Sequence, residues 1–156
     1  MKTIVVVHSY HHNSTRKIAD AMAAALNAEV KSTSEIAPAE AADCDLIGLG
    51  AGIDSGKHYK PLLDFAEALP NANGTKTFLF STAGIAGKEK KKLSDHTALR
   101  VILQSKGYEV LDEFACRGFN TNSFLKHIGG MNKGRPDAED FDAAAAFADN
   151  LKRRAT

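Results

Sequence analysis

The chain has 156 residues, of which 44% are hydrophobic, and we expect one domain over residues 1–156 because this is enough to fill a single core. Its 20 Lys and Arg side chains against 19 Asp and Glu leave a net charge of +1, which gives no reason to expect a nucleic-acid or membrane-surface partner. No apolar run approaches the ~18 residues of a membrane span and no signal-peptide pattern opens the chain, so we expect a cytoplasmic protein.

The first third of the chain alternates between strand and helix patterns. Residues 3–7 (TIVVV) form a β-branched run without polar alternation, which predicts a strand buried on both faces. A helix is predicted from residue 13 onward, where one of residues 13–15 can cap it. Two further strands are predicted at 28–33, which is short and charged, and at 45–50, which is apolar.

The same alternation continues to the end of the chain. Helices are predicted at 60–69 and at 88–107, where Gly107 suits a helix end. A strand is predicted at 75–82 and a more polar one at 108–118, followed by a closing helix at 137–154.

Five strands that alternate with helices predict an α/β fold with a doubly wound, five-stranded parallel sheet and helices on both faces. The first, third and fourth strands are the most apolar and belong in the centre, whereas the second and fifth carry charges that suit edges. Right-handed connections then give the strand order 2-1-3-4-5. In this order the connections reverse direction between the first and third strands, where we expect a ligand at the carboxyl ends.

A run of seven polar or imidazole-bearing residues connects the first strand to the first helix. Unsatisfied backbone N–H groups and the helix dipole favour an anion at such a position, and hydroxyl, amide and imidazole donors strengthen that preference. A helix cap needs only one such residue, so we interpret the run as a phosphate site. Its residues are Ser9, Tyr10, His11, His12, Asn13, Ser14 and Thr15.

The stretch HSYHHNSTRKIA resembles the phosphate loop of the flavodoxin family, with Ser9, Asn13 and Ser14 at matching positions. LIGLGAGIDSG after the third strand and FSTAGIAG after the fourth are similar to the two flavin-contacting loops of that family. The resemblance covers the whole chain and implies FMN as the cofactor, with flavin N5 near the peptide around Ile53 and Asp54. The residues that it assigns to the flavin ring are Ala51, Gly52, Ile53, Asp54, Ser81, Thr82, Ala83, Gly84, Ile85, Cys116, Gly118 and Phe119.

By this resemblance we expect an electron-transfer flavoprotein whose partner is a redox protein or a small electron acceptor. The chain departs from typical carriers because it lacks Trp and is nearly neutral. Ile85 stands where a Trp often stacks, and His58, Tyr59 and Phe119 are the remaining candidates for ring stacking. Two alternatives stay open, an FMN-dependent NAD(P)H:quinone-type oxidoreductase and an interaction module of this fold without FMN. No side chain is a convincing catalytic acid or base.

Three other features carry weaker hypotheses. The lysines at 88 and 90–92 form either a solvated face, the commoner role of such a run, or a docking site for an acidic redox partner.

Four histidines could share one rim, but no carboxylate pattern completes a metal site, so we expect no metal. They are His8, His11, His12 and His58. Cys44 and Cys116 lack a CxxC partner, so we expect buried thiols and neither a disulfide nor zinc.

Overall fold

A parallel sheet forms the middle layer of the computed structural model, which describes residues 1–9, 13–84, 89–118 and 134–155. Five parallel strands have the order β2-β1-β3-β5-β6, and a short strand, β4, pairs antiparallel with the end of β3. The predicted order of the five main strands is therefore confirmed. The strands are β1 (Thr3–His8), β2 (Glu29–Ser32), β3 (Leu46–Asp54), β4 (Lys57–His58), β5 (Lys76–Ala83) and β6 (Glu109–Arg117).

Helices cover both faces of this sheet, as predicted. The apolar residues of α1 and α6 pack in one core cluster, and those of α2, α3 and α5 pack in another on the opposite face. The helices are α1 (Ser14–Leu26), α2 (Pro38–Ala42), α3 (Lys60–Glu67), α4 (Glu89–Asp95), α5 (Thr97–Ser105) and α6 (Ala138–Ala155). Within the described ranges, none of these helices is long and apolar enough to span a bilayer.

Some boundaries differ from the predictions. β3 does not end at residue 50 but continues to Asp54, because its end pairs with β4 in a hairpin. The helix predicted over 88–107 has an irregularity at His96, where α4 meets α5. The hydrogen bonds from the His96 amide to Lys92 O and from the Arg100 amide to His96 O nevertheless continue the helical pattern. Gly107 follows α5 with φ of 89°, which confirms its expected role at the helix end.

Two glycines of β3 allow large aromatic rings of β5 to lie directly on the sheet. A Cβ atom added at Gly48 would overlap the ring of Phe78, and one added at Gly50 would overlap the ring of Phe80. Both rings are fully buried, and their centroids are 6.1 Å apart. The centre of the sheet is therefore packed by rings from β5 in space that side chains of β3 would otherwise fill.

We predict that Gly50→Ala lowers the free energy of unfolding by about 1–3 kcal/mol, because the new methyl group forces the Phe80 ring out of its position. Urea denaturation measures this loss. Phe80→Leu should destabilise the parent more than it destabilises the Gly50→Ala variant, because the smaller side chain removes the overlap. Strictly additive effects of the two substitutions would contradict this close contact.

Candidate functional site

The carboxyl ends of the central strands meet at one edge of the sheet. His8 at the end of β1 pairs with Ala51 of β3, which pairs in turn with Ser81 of β5. Thr82 of β5 pairs with Cys116 of β6. The four strand ends to which the resemblance assigns a cofactor are thus adjacent, and the start of α1 lies beside them.

The helix start uses a different cap from the one predicted. Asn13 occupies the N-cap position with φ of 55°, but its side chain makes no capping hydrogen bond. The Arg16 amide instead donates to the Ser9 hydroxyl oxygen at 3.3 Å, so Ser9 supplies the cap from the end of β1. The guanidinium group of Arg16 lies 3.6 Å from Asp20 and 3.7 Å from Glu35. The charge of Arg16 is therefore balanced by carboxylates of its own chain.

Four of the predicted site residues converge where α1, β5 and β6 meet. The hydroxyl groups of Thr15 and Thr82 share a buried hydrogen bond of 2.7 Å. A Cβ atom added at Gly118 would lie 3.1 Å from the Cβ atoms of Ser14 and Thr82, which is closer than ordinary contact. The backbone at Gly118 therefore approaches the helix start more closely than a larger residue would permit.

The segment predicted as the first flavin-contacting loop, 51–54, is the end of a strand and leads into a hairpin. Ile53 pairs with His58 and Asp54 pairs with Lys57 across a two-residue turn. The turn residues Ser55 and Gly56 have φ values of 54° and 78°, the left-handed conformation that two-residue hairpins favour. The prediction of a loop was wrong, because residues 51–54 continue β3 as far as a turn at this Ser-Gly pair.

Tyr59, which follows the hairpin, lies on Gly52 of β3. The Tyr59 amide donates to the Gly52 carbonyl oxygen at 3.1 Å, and a Cβ atom added at Gly52 would lie 2.6 Å from a carbon of the Tyr59 ring. The ring also meets His8 edge-on, with centroids 6.1 Å apart. Gly52 therefore leaves space for an aromatic ring at the carboxyl end of β3.

The remaining predicted residues have simpler positions. Ala83 accepts a hydrogen bond of 3.0 Å from the Gly118 amide, and Gly84 follows directly after β5. Five predicted site residues lie outside the described residues: Tyr10, His11, His12, Ile85 and Phe119.

Both cysteines are buried free thiols, as expected. Burial, reinforced by Asp140, raises the pKa of Cys116 to about 12. Cys116 is therefore a neutral thiol at physiological pH and packs in the core cluster of α1 and α6.

Two of the lysines in the run after β5 bind groups of their own chain. Lys91 forms an ion pair of 2.5 Å with Asp95. Lys92 lies 2.8 Å from a carboxylate oxygen of Glu89 and donates to the carbonyl oxygen of Glu113 at 3.1 Å. Lys90 is exposed, and Lys88 lies outside the described residues. Lys91 and Lys92 are therefore already paired within the chain, which weakens the hypothesis of a docking site for an acidic partner.

A buried polar network on the α3 and α5 side of the sheet was not predicted. His96 Nδ1 donates to Glu113 Oε1 at 2.8 Å, and a hydrogen bond of 2.7 Å joins His96 Nε2 to the Ser81 hydroxyl group. Arg100 donates to both carboxylate oxygens of Glu113, at 2.8 and 2.7 Å. His58 packs against His96 with ring centroids 4.8 Å apart. These five residues connect β4, β5, β6 and α5.

Burial sets the protonation of this network. Burial and the neighbouring His96 lower the pKa of His58 from 6.5 to about 3, although the bond to Phe80 opposes the shift. Burial alone would raise the pKa of Glu113, but the hydrogen bonds from His96 and Arg100 outweigh it and lower that pKa to about 2. His58 is therefore neutral and Glu113 is ionised at neutral pH. Among the described residues, no group of three or more His, Cys, Asp or Glu could hold a metal ion.

We predict that acid destabilises the protein in two steps. Between its unfolded pKa of 6.5 and its folded pKa of about 3, His58 binds more proton in the unfolded state, so stability falls as the pH falls through that window. Glu113 adds a second loss as the pH falls from 4.5 to about 2. Between about pH 7 and about pH 5, protonation of His58 in the unfolded state should lower the free energy of unfolding by about 2 kcal/mol.

His58→Gln tests the first step, because its amide can still donate a hydrogen bond but does not titrate. Urea denaturation at about pH 7 and about pH 5 should show a loss about 2 kcal/mol smaller in the variant than in the parent. An equal loss in both proteins would mean that His58 is not the buried neutral group.

Comparisons with known proteins agree with this geometry. A family model described as Flavodoxin domain matches residues 5–139. An uncharacterized protein of Methanocaldococcus jannaschii is 39% identical over 151 residues, which make up 97% of this chain and 98% of that protein. The crystal structure of oxidised Flavodoxin 2 from Bacillus cereus has a TM-score of 0.73 at 18% identity and covers 99% of both chains. A flavodoxin of Streptococcus pneumoniae TIGR4 has a TM-score of 0.71 at 18% identity, over 97% of this chain and 99% of that one.

Proposed function

The chain belongs to the flavodoxin family, and on that premise we propose that it binds FMN and transfers electrons in the cytoplasm to a redox protein or a small electron acceptor. The observation that carries the proposal is the convergence of Ser14, Thr15, Thr82 and Gly118 at the start of α1. FMN, when bound, supplies the redox chemistry, and the protein supplies binding and orientation.

The start of α1 suits a phosphate group. Ser14 lies there and carries a hydroxyl donor in the first helical turn, where the helix dipole favours an anion, whereas the Thr15 hydroxyl group is bonded to Thr82 and orders the helix start. Asn13 makes no capping bond, so its side-chain amide can serve a ligand. Because Arg16 is balanced by Asp20 and Glu35, the phosphate would depend on neutral donors and backbone amides.

The ends of β3, β5 and β6 suit a flat ring. Gly52 and Gly118 allow other segments to approach the backbone closely, and Gly84 directly follows β5, so these three positions place no side chain at the strand ends. Tyr59 is half-buried on Gly52 and is the described aromatic residue best placed to contact a flavin ring. Ile53 and Asp54 would meet the ring from the hairpin, whereas Ala51 is buried in the core and, with Ser81, Ala83 and Cys116, supports the strand ends.

Electron transfer fits better than small-molecule reduction assisted by a protein acid or base, because the described residues that are arranged for such chemistry are buried. Ser81, His96 and Glu113 have the order of a catalytic triad, but Ser81 is 1% exposed and His96 is 0% exposed. A group so deeply buried cannot touch a substrate. Cys116 is a protonated buried thiol. The chemistry is therefore left to the flavin.

We predict that Asn13→Asp weakens FMN binding about tenfold or more and leaves riboflavin binding unchanged. Aspartate has the shape of asparagine and tolerates the left-handed conformation at residue 13, so the fold should be retained. Its negative charge would lie at the proposed phosphate position, and repulsion there weakens FMN alone. Fluorescence titration of the apoprotein with each flavin measures both affinities.

Asn27→Asp is the matched control. Asn27 caps the other end of the same helix in the same left-handed conformation, with φ of 53°. The control adds the same charge far from the crevice and should leave FMN affinity unchanged. Equal FMN affinity in Asn13→Asp and Asn27→Asp, or equal binding of FMN and riboflavin by the parent, would reject the phosphate site.

We predict that the purified protein carries FMN and does not act as a reductase on its own. With NADH or NADPH and a quinone, it should oxidise the nicotinamide no faster than an equal concentration of free FMN, as followed by nicotinamide absorbance. Turnover above that background would favour the quinone oxidoreductase, and a colourless protein that fails to bind added FMN would favour the interaction module.

A further inference from the structure

Beyond Gly52, where the pairing of β3 with β5 ends, the hairpin of β3 and β4 carries a buried side chain that bonds to the neighbouring strand. His58 is 1% exposed and lies opposite Ile53 in the β3–β4 pair. Its Nε2–H group donates to the carbonyl oxygen of Phe80 in β5 at 3.0 Å. The hairpin whose exposed turn is Ser55 and Gly56 is thus bonded directly to the neighbouring strand through the His58 side chain.

His58 also connects the hairpin to β6 and α5. Its ring packs on His96 at an angle of 37°, with centroids 4.8 Å apart. His96 is hydrogen-bonded to Ser81 of β5 and to Glu113 of β6, and Arg100 of α5 holds the same carboxylate. The position of the hairpin is therefore set relative to two other strands, β5 and β6.

The cost of this arrangement indicates that packing is not its only basis. His58 Nδ1 is buried without a hydrogen-bond partner, and a buried unpaired polar atom destabilises the folded state. A phenylalanine or leucine would fill the space without that cost. What an apolar side chain cannot supply is the bond to the Phe80 carbonyl group.

We propose that His58 is a positioning residue that holds the hairpin of β3 and β4 at the place where the cofactor would bind. Its bond to Phe80 and its contact with His96 hold Ile53 and Asp54 at a fixed place relative to β5, where the flavin ring would bind. The inference rests on the proposed FMN function for its ligand, but the attachment of the hairpin can be measured without any cofactor.

The test compares His58→Phe with Tyr108→Phe. Each variant removes one hydrogen bond from a buried aromatic side chain to a backbone carbonyl, since the Tyr108 hydroxyl group donates to Pro70 O at 2.7 Å. Tyr108 lies just before β6, at the edge of the sheet opposite the crevice. We expect His58→Phe to weaken FMN binding about tenfold, and Tyr108→Phe to change it less than about twofold.

Two further measurements separate positioning from a general loss of stability. In the apoprotein, the Tyr59 amide that donates to Gly52 O should exchange with solvent about tenfold faster in His58→Phe than in the parent. His58→Gln can restore the bond to Phe80 and should recover most of the FMN affinity, whereas His58→Asn is too short to do so and should not.

Each outcome decides the inference. Unchanged FMN affinity and unchanged Tyr59 exchange in His58→Phe would overturn it. If that variant does not fold, the Gln and Asn variants decide, and equal affinity and exchange in those two would overturn it. If the parent binds no FMN, the proposed function fails while the exchange data still test the attachment of the hairpin.

Discussion

The reversal of connection direction between β1 and β3 is the constraint on which the rest of the structure depends. α1 returns over one face of the sheet and packs with α6, whereas α3 returns over the other face and packs with α5. The chain segments that leave β1 and β3 therefore diverge, and a crevice opens between the two strand ends. The start of α1, the hairpin and the ends of β5 and β6 all border this opening, so the fold itself brings distant segments into one site.

Close backbone contact is the second condition for the site. Gly48, Gly50 and Gly52 alternate along β3, and each lies against an aromatic ring from another segment. The first two rings, Phe78 and Phe80, fill the core, whereas the third, Tyr59, lies at the carboxyl end where the crevice begins. The same close contact between a glycine and a ring therefore runs along β3 from the core to the edge of the crevice. Gly118, directly after β6, likewise allows the side chains of Ser14 and Thr82 to approach the backbone closely.

Much of this was predictable from the sequence because local patterns determine it. The apolar content of the strands predicted their order, and the order predicted an opening between the carboxyl ends of β1 and β3. The hairpin was missed because β4 has only two residues, too few to show a period. The network was missed because Ser81, His96 and Glu113 are distant in sequence and belong to types that are usually exposed. Glu113 was interpreted as an edge-strand charge, but Arg100 and His96 enclose it.

The burial of Ser81, His96 and Glu113 gives this hydrogen-bonded array a structural role and not a catalytic one. The distances of 2.7 and 2.8 Å are those of a hydroxyl group activated by a histidine and a carboxylate, yet the hydroxyl group faces the core. The same bonds that would activate a nucleophile in an open cleft here join β5 to β6. The ion pair with Arg100 compensates the charge of Glu113, so the array can be buried without a free charge. The stability of the sheet and the position of the hairpin consequently depend on the same side chains, because the network that contacts the hairpin through His58 also joins β5 to β6.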